Sequence, residues 1–277
     1  MNLKKIFVLA TGIIFFISAS SISAEKNSTW QPERKIGILI GVSQVILQMS
    51  EPCVMIDSET QQEIRKIDAN RKFLLNVSKL KTNSVEIRGE NVSLKDLQVS
   101  INDKKYFGGV KINKNSNSIT VINLVSVEEY LRGVVPEEMS PSFEIEALKA
   151  QAVAARSFTL KNSDRHKTQG YDLCATTHCQ VYKGVDVAEN QTDLAIQKTR
   201  GEVIQFGGKT ALTTFHTDSG GMTESGLEVW GTDTPYLQAV EEIQKQTESW
   251  TKKFSVADVA SRISADFGDL KKIELSN

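Results

Sequence analysis

Between Gly133 and Phe158 the chain reads GVVPEEMSPSFEIEALKAQAVAARSF, and two adjacent carboxylates, Glu137 and Glu138, stand among Val134, Val135, Met139 and Phe143. A carboxyl in such a setting is a candidate general acid. Apolar burial raises a carboxyl pKa by up to roughly 3–5 units, whereas the N-terminus of a following helix favours the charged form by only about 0.3–1 kcal/mol at an exposed site. If the joint is desolvated, burial dominates. On position alone, the plainer reading is a pair of solvated charges at a helix end.

A second group with chemical potential is Cys174-Ala175-Thr176-Thr177-His178-Cys179, with His166 eight residues upstream of Cys174. Cysteine and histidine are suitable zinc ligands, but the spacing is not one of the common finger spacings. A Cys174–Cys179 disulfide fits the residues equally well if the protein is exported. A thiol nucleophile is disfavoured, since Cys179 is directly adjacent to His178 and no separate orienting group is evident. A third group, FHTDSGGMTES from Phe215 to Ser225, combines His216 and Ser219 with a Gly220-Gly221 turn, and it lacks the Gly-x-Ser-x-Gly elbow of serine hydrolases. Unaided, it reads as a tight turn with a solvated histidine. Trp230 and Tyr236 read as core aromatics, with stacking on sugar rings as the alternative.

The elements that must position these residues follow from the hydrophobic period. From Trp30 to Leu124, short apolar runs such as KIGILIG, KFLLNV, SVEIRG and SITVINLV alternate with Asn, Gly, Lys and Ser, as β-strands and hairpins do. KINKNSNSITVINLV predicts a hairpin with Asn113, Asn115 and Asn117 as turn formers. At Ser126 the period changes: Ser126 and Glu129 form a capping box ahead of VEEYLRGVV, a short helix that Pro136 stops. Ser140-Pro141-Ser142 with Glu144 and Glu146 opens a helix over 143–161. Its alanines (Ala147, Ala150 and Ala154 on one face, Ala152 and Ala155 beside them) predict close approach to another element. The fold class is therefore α+β, a β-rich part packed with a mixed α/β core around a buried alanine-rich helix.

The 277 residues carry 33 Lys and Arg against 34 Asp and Glu, at 40% hydrophobic composition. No basic block suggests a nucleic-acid surface. Lys4 and Lys5, the apolar run Ile6–Ile17 and the small residues ending at Ala24 form an export-signal pattern, too short for a spanning helix unless it stays as an uncleaved anchor. An exported location in the envelope or outside the cell is expected, with any membrane attachment through that segment alone. Three cysteines are too few for a disulfide scaffold.

In this order, INLVSVEEYLRGVVPEEMSPSFEIEALKAQAVAARSFTL, GYDLCATTHCQVYKGV, TRGEVIQFGGKTALTTFHTDSGGMTESGLEVWG and PYLQAV resemble the SpoIID/LytB domain family, the stage II sporulation protein D and amidase-enhancer group. The resemblance covers about Val121 to Val240 and divides the chain into a leader (1–24), a β-rich part (25–120) and a core (121–277) that the family's further strands would extend. It implies a peptidoglycan lytic transglycosylase cleaving between N-acetylmuramic acid and N-acetylglucosamine. Glu138 matches the family's catalytic glutamate, immediately before Met, and Glu137 falls on a variable position as a solvent-side bystander. The alternative function is a non-catalytic glycan-binding regulator that stimulates a cell-wall amidase. The resemblance further implies a zinc ion, more structural than chemical, on Cys174 and Cys179 with His178 or His166. It also implies a groove lined by Glu138, the Cys174–Tyr182 segment with Gln180 and Tyr182, and the His216–Glu224 loop with Ser219, Gly220, Gly221 and Glu224. Arg156 is read as a groove contact or an internal ion-pair partner. Nothing in the residues is specific to sporulation.

Overall fold

The computed structural model describes residues 32–241, the backbone of Ser23–Ala24, and residues 251, 253–255 and 257–259. Of the export segment only the Ser23–Ala24 backbone is described, paired antiparallel with Glu202–Val203, and any strands after the core lie outside the described residues. Among the described residues no helix is long and apolar enough to cross a membrane. The chain falls into two compact units, one ending at Phe215 and the other beginning at His216.

The first unit is built from β1 (Ser23–Ala24), β2 (Glu33–Val42), β3 (Gln44–Met49), β4 (Cys53–Asp57), β5 (Glu63–Ile67), β6 (Phe73–Asn76), β7 (Ser84–Gly89), β8 (Gln98–Ile101), β9 (Lys104–Phe107), β10 (Gly109–Asn115) and β11 (Ser118–Ser126). The helices α1 (Val127–Arg132), α2 (Val135–Glu138), α3 (Ile145–Lys161) and α4 (Asn190–Lys198) follow, with the two-residue strands β12 (Leu173–Cys174), β13 (Glu202–Val203), β14 (Gln205–Phe206) and β15 (Lys209–Thr210) between and after them. The α+β expectation therefore holds.

Seven strands form one sheet in the order β12-β2-β11-β10-β7-β4-β5, and four form another in the order β6-β3-β8-β9. The chain passes from the first to the second at Gly41–Ser43. Alternation decides which face is covered: in β3, Val45, Leu47 and Met49 are buried while Ile46 faces solvent. The inner faces of both sheets share one hydrophobic cluster, including Ile36, Leu47, Val85, Ile87 and Ile112. β11 is buried along almost its whole length, as a strand covered on both faces must be. The β10–β11 hairpin pairs Asn115 with Ser118 and Asn113 with Thr120, so only Asn117 of the three asparagines lies in the turn. Asn113 stays in the ladder, where its side chain accepts a bond from Ser84 Oγ.

Ser126 caps α1 as expected, accepting from Glu129 N at 3.3 Å. Pro136 does more than stop a helix: it stands in the first turn of α2, where its missing N–H costs nothing. α3 begins at Ile145, with Glu144 rather than a serine at the cap. Its buried face runs through Leu148, Ala152, Ala155, Arg156 and Thr159, against α1, α4 and β13, while Ala150 is exposed.

Gly184 closes the connection after the cysteine segment with φ +84° and ψ −151°, a region essentially reserved for glycine. A Cβ there would stand 2.1 Å from the Lys105 carbonyl oxygen. Gly184→Ala should therefore lower stability by at least about 2 kcal/mol, read as a fall in the thermal unfolding midpoint.

Candidate functional site

Glu137 and Glu138 end α2, whose buried Val135 fixes the helix against the core. That leaves both carboxylates reaching toward the same neighbouring stretch, Val181–Lys183. Glu138 is half-buried, and its Oε1 accepts the Val181 backbone N–H at 2.9 Å. Its Oε2 makes no hydrogen bond among the described residues. Glu137 is no solvent-side bystander: its carboxylate pairs with Lys183 Nζ and its side chain is only 17% exposed. Val134 and Val135 are fully buried, whereas Phe143, expected to help desolvate the joint, is 57% exposed. Phe143 closes a turn ahead of α3, its N–H donating to the Ser140 carbonyl oxygen at 3.1 Å.

β12 positions the metal-binding residue types. It adds to the edge of the large sheet parallel to β2, pairing Leu173 with Ile36 and Cys174 with Gly37. Asp172 secures this edge, its carboxylate accepting from Lys35 N at 3.0 Å. The chain then curls back so that His166, Cys174, His178 and Cys179 converge, their donor atoms all within 4.8 Å of one another. Cys179 Sγ lies 3.3 Å from His166 Nε2 and 3.6 Å from His178 Nδ1, and Cys174 Sγ lies 3.7 Å from His178 Nδ1. His166 Nδ1 donates to Gln169 Oε1 at 2.5 Å, which fixes the tautomer and turns the Nε2 lone pair toward the sulfurs. The His166 ring also stacks on Tyr171.

The two thiols differ. Burial alone would raise Cys174, but hydrogen bonds from Thr176 and Cys179 outweigh it and hold this thiol below its ordinary value. Burial pushes Cys179 up to about 11. All three cysteines are free, with no disulfide joining Cys174 to Cys179. The four residues together could hold a metal ion.

Three residues expected on a groove belong to the interior. Arg156 is 0% exposed and forms a two-pronged ion pair with Glu128, both N···O distances 2.8 Å, while donating to the Glu202, Ile196 and Ala152 carbonyls, which uses all five of its N–H groups. It is the internal ion-pair partner, with no donor left for a sugar. Gln180 is buried, accepting from Thr159 Oγ1 at 2.9 Å and Tyr130 Oη at 3.3 Å. Tyr182 is buried against Tyr106 and Tyr130, and its hydroxyl donates to Asn123 Oδ1 at 2.9 Å. Burial holds the Tyr130 and Tyr182 hydroxyls well above the ordinary phenol value. The alternation of the segment explains the outcome: Gln180 and Tyr182 point inward, leaving Val181 N–H and Lys183 for the glutamates.

The remaining expected residues lie in the second unit. There Asp218 Oδ1 accepts the Gly220 N–H at 2.8 Å, and Gly220 and Gly221 take φ values of +75° and +106°, so the backbone makes a tight turn here. Glu224 is exposed, just before α5 (Gly226–Trp230), which Ser225 caps. Trp230 is 54% exposed rather than a core residue. His216 precedes this turn, and Ser219 lies inside it between Asp218 and Gly220.

Residues 115–206 match the profile of SpoIID, described as Stage II sporulation protein. This segment belongs to the SpoIID family. The SpoIID segment contains Glu138, Val181 and all four cysteine and histidine residues of the cluster, and ends before the His216–Glu224 turn. Over 183 residues the chain is 34% identical to an uncharacterized protein of Brachyspira hyodysenteriae, covering 64% of this chain and 49% of that protein. It is 35% identical to the Amidase enhancer of Bacillus subtilis, over 65% of this chain and 25% of that protein. To Stage II sporulation protein D of Bacillus amyloliquefaciens it is 32% identical, over 61% and 48%. The matches thus span between a quarter and a half of these relatives' own lengths.

Proposed function

We propose that this chain is an exported enzyme of the cell envelope that cleaves peptidoglycan glycan strands as a lytic transglycosylase, with Glu138 as the single acid/base. The observation that carries this reading is the Val181 N–H bond to Glu138 Oε1, which fixes one carboxylate oxygen and leaves the other for a reacting group. An ordinary glycosidase needs two carboxylates, one as acid and one as nucleophile or base. Here the proton on Oε2 passes to the glycosidic oxygen as its bond to the muramic C1 breaks. The muramic 6-hydroxyl closes onto C1, and Glu138 takes that hydroxyl's proton. The products are a free 4-hydroxyl and a 1,6-anhydro ring, and no water is consumed.

The cluster beside the joint fits zinc. A tetrahedral ion about 2.3 Å from sulfur and about 2.0–2.1 Å from nitrogen sets sulfur and nitrogen donors about 3.5 Å apart, against 3.3 Å from Cys179 to His166 and 3.6 and 3.7 Å from His178 to Cys179 and Cys174, with all four donor atoms within 4.8 Å of one another. With four protein donors the site is closed, so zinc bound there would supply folding energy rather than chemistry. Protein purified without chelator should carry about one zinc per chain by elemental analysis. Cys174→Ser or Cys179→Ser should abolish this and lower the unfolding midpoint. Because thiols must lose their protons to bind, zinc should dissociate as pH falls.

The name of the Amidase enhancer relative favours a second reading, a glycan-binding regulator acting on a partner amidase. Incubating the purified chain with glycan strands and examining the products by mass spectrometry decides between them. Anhydromuramic ends support the enzyme. Their absence together with sedimentation on sacculi supports the regulator.

A further inference from the structure

Away from the glutamate joint, the first unit holds a cavity of about 450 Å³ between the edge strands of the two sheets, β5 and β6, and the turn that follows β6. Its floor is apolar: Met55, Leu75, Leu80 and Val85 are all at least nine-tenths buried. Its walls include Ile64 and Leu74, which leave nearly half of their surface in solvent. Charge at the rim has one sign. Arg65, Lys79 and Lys81 line the opening, and no acidic residue does.

None of these three cations makes an ion pair among the described residues, although their neighbours do. Lys66, on the opposite side of β5, pairs with Glu90; Arg71 pairs with Asp68 and Lys72 with Asp103. Arg65 is instead held over the Phe73 ring, 4.6 Å from its centroid, so its guanidinium stays at the mouth of the cavity. Lysine stems can lie along the apolar wall with their ammonium groups outward. The size falls within the range of small-molecule sites, and apolar walls with a few convergent polar groups are their usual composition. An added peptide strand is the poorer occupant, because the β5 edge carries exposed Glu63, Arg65 and Lys66, charges of the kind that discourage strand addition.

We propose that this cavity binds a single-chain amphiphile ending in a carboxylate, with its chain on the apolar floor and its head between Arg65, Lys79 and Lys81. The site is independent of the glycan-cleaving reading, and it lies in the part of the chain before the SpoIID segment.

Calorimetric titration of the full chain with laurate below its micelle concentration tests this. Laurate should bind at one site with a negative heat-capacity change, the mark of apolar burial. Dodecyltrimethylammonium, with the same tail and the opposite head, should not bind, and nor should acetate, which offers the head alone. Lys79→Glu with Lys81→Glu should weaken laurate by about tenfold or more, and Leu74→Asp should also weaken it. All three side chains are exposed, so the variants keep the fold, checked by circular dichroism. The proposal is overturned if dodecyltrimethylammonium binds as well as laurate, or if the variants leave laurate affinity unchanged. It is also overturned if laurate fails to bind while an acidic extended peptide does.

Discussion

Glu138→Gln is expected to lower glycan turnover by about 10²–10⁴-fold, the range typical of losing a general acid–base, while sedimentation on sacculi stays near wild type. The amide can still accept the Val181 N–H through its oxygen, so the joint keeps its shape. What it loses is the proton that starts the reaction. Glu137→Gln, assayed beside it on the same substrate, should change turnover only slightly, since its carboxylate is already committed to Lys183. Equal losses, or a larger one at Glu137, would move the acid/base role off Glu138. Full activity in both would remove the joint from the mechanism.

The second large effect is on stability. Arg156→Met should destabilise the fold by about 3–5 kcal/mol, because it strands the buried Glu128 carboxylate without its cation. For a protein of this size that corresponds to a fall of roughly 10 °C in the unfolding midpoint. Glu128→Leu in the same chain should recover much of the loss, since a buried ion pair replaced by apolar groups of similar size is often close to neutral. A double-mutant cycle by thermal melting measures the coupling. If Arg156→Met melts within about 2 °C of wild type, the pair contributes little to holding α1, α3 and α4 together.

Local rules carried the sequence reading a long way. The strand runs, the Ser126 cap and the long helix were legible because each is set by neighbours in the chain: alternation, a hydroxyl three residues before a free N–H, and alanine-rich helical spacing. The convergence of His166 with the cysteines was legible as a set of ligand types, but its closure depends on β12 joining β2 across more than a hundred residues. The inward or outward sense of Gln180, Tyr182 and Arg156 was not legible, since polar side chains enter a core only when partners such as Tyr130, Asn123 and Glu128 meet them there. Glu137 was misjudged for the same reason: Lys183 is far from it in sequence, and nothing local announces the pair.

The two glutamates grip one short stretch by unlike means. Glu138 holds a backbone amide, a short-range contact, whereas Glu137 holds the ammonium of Lys183, which is 55% exposed. At about 1 M salt the Debye length shrinks to about 3 Å, so the exposed side of the ionic grip loosens first while the amide grip persists. Ionic strength thereby becomes a dial that acts on one half of the clasp, leaving Glu138 seated as Lys183 is freed.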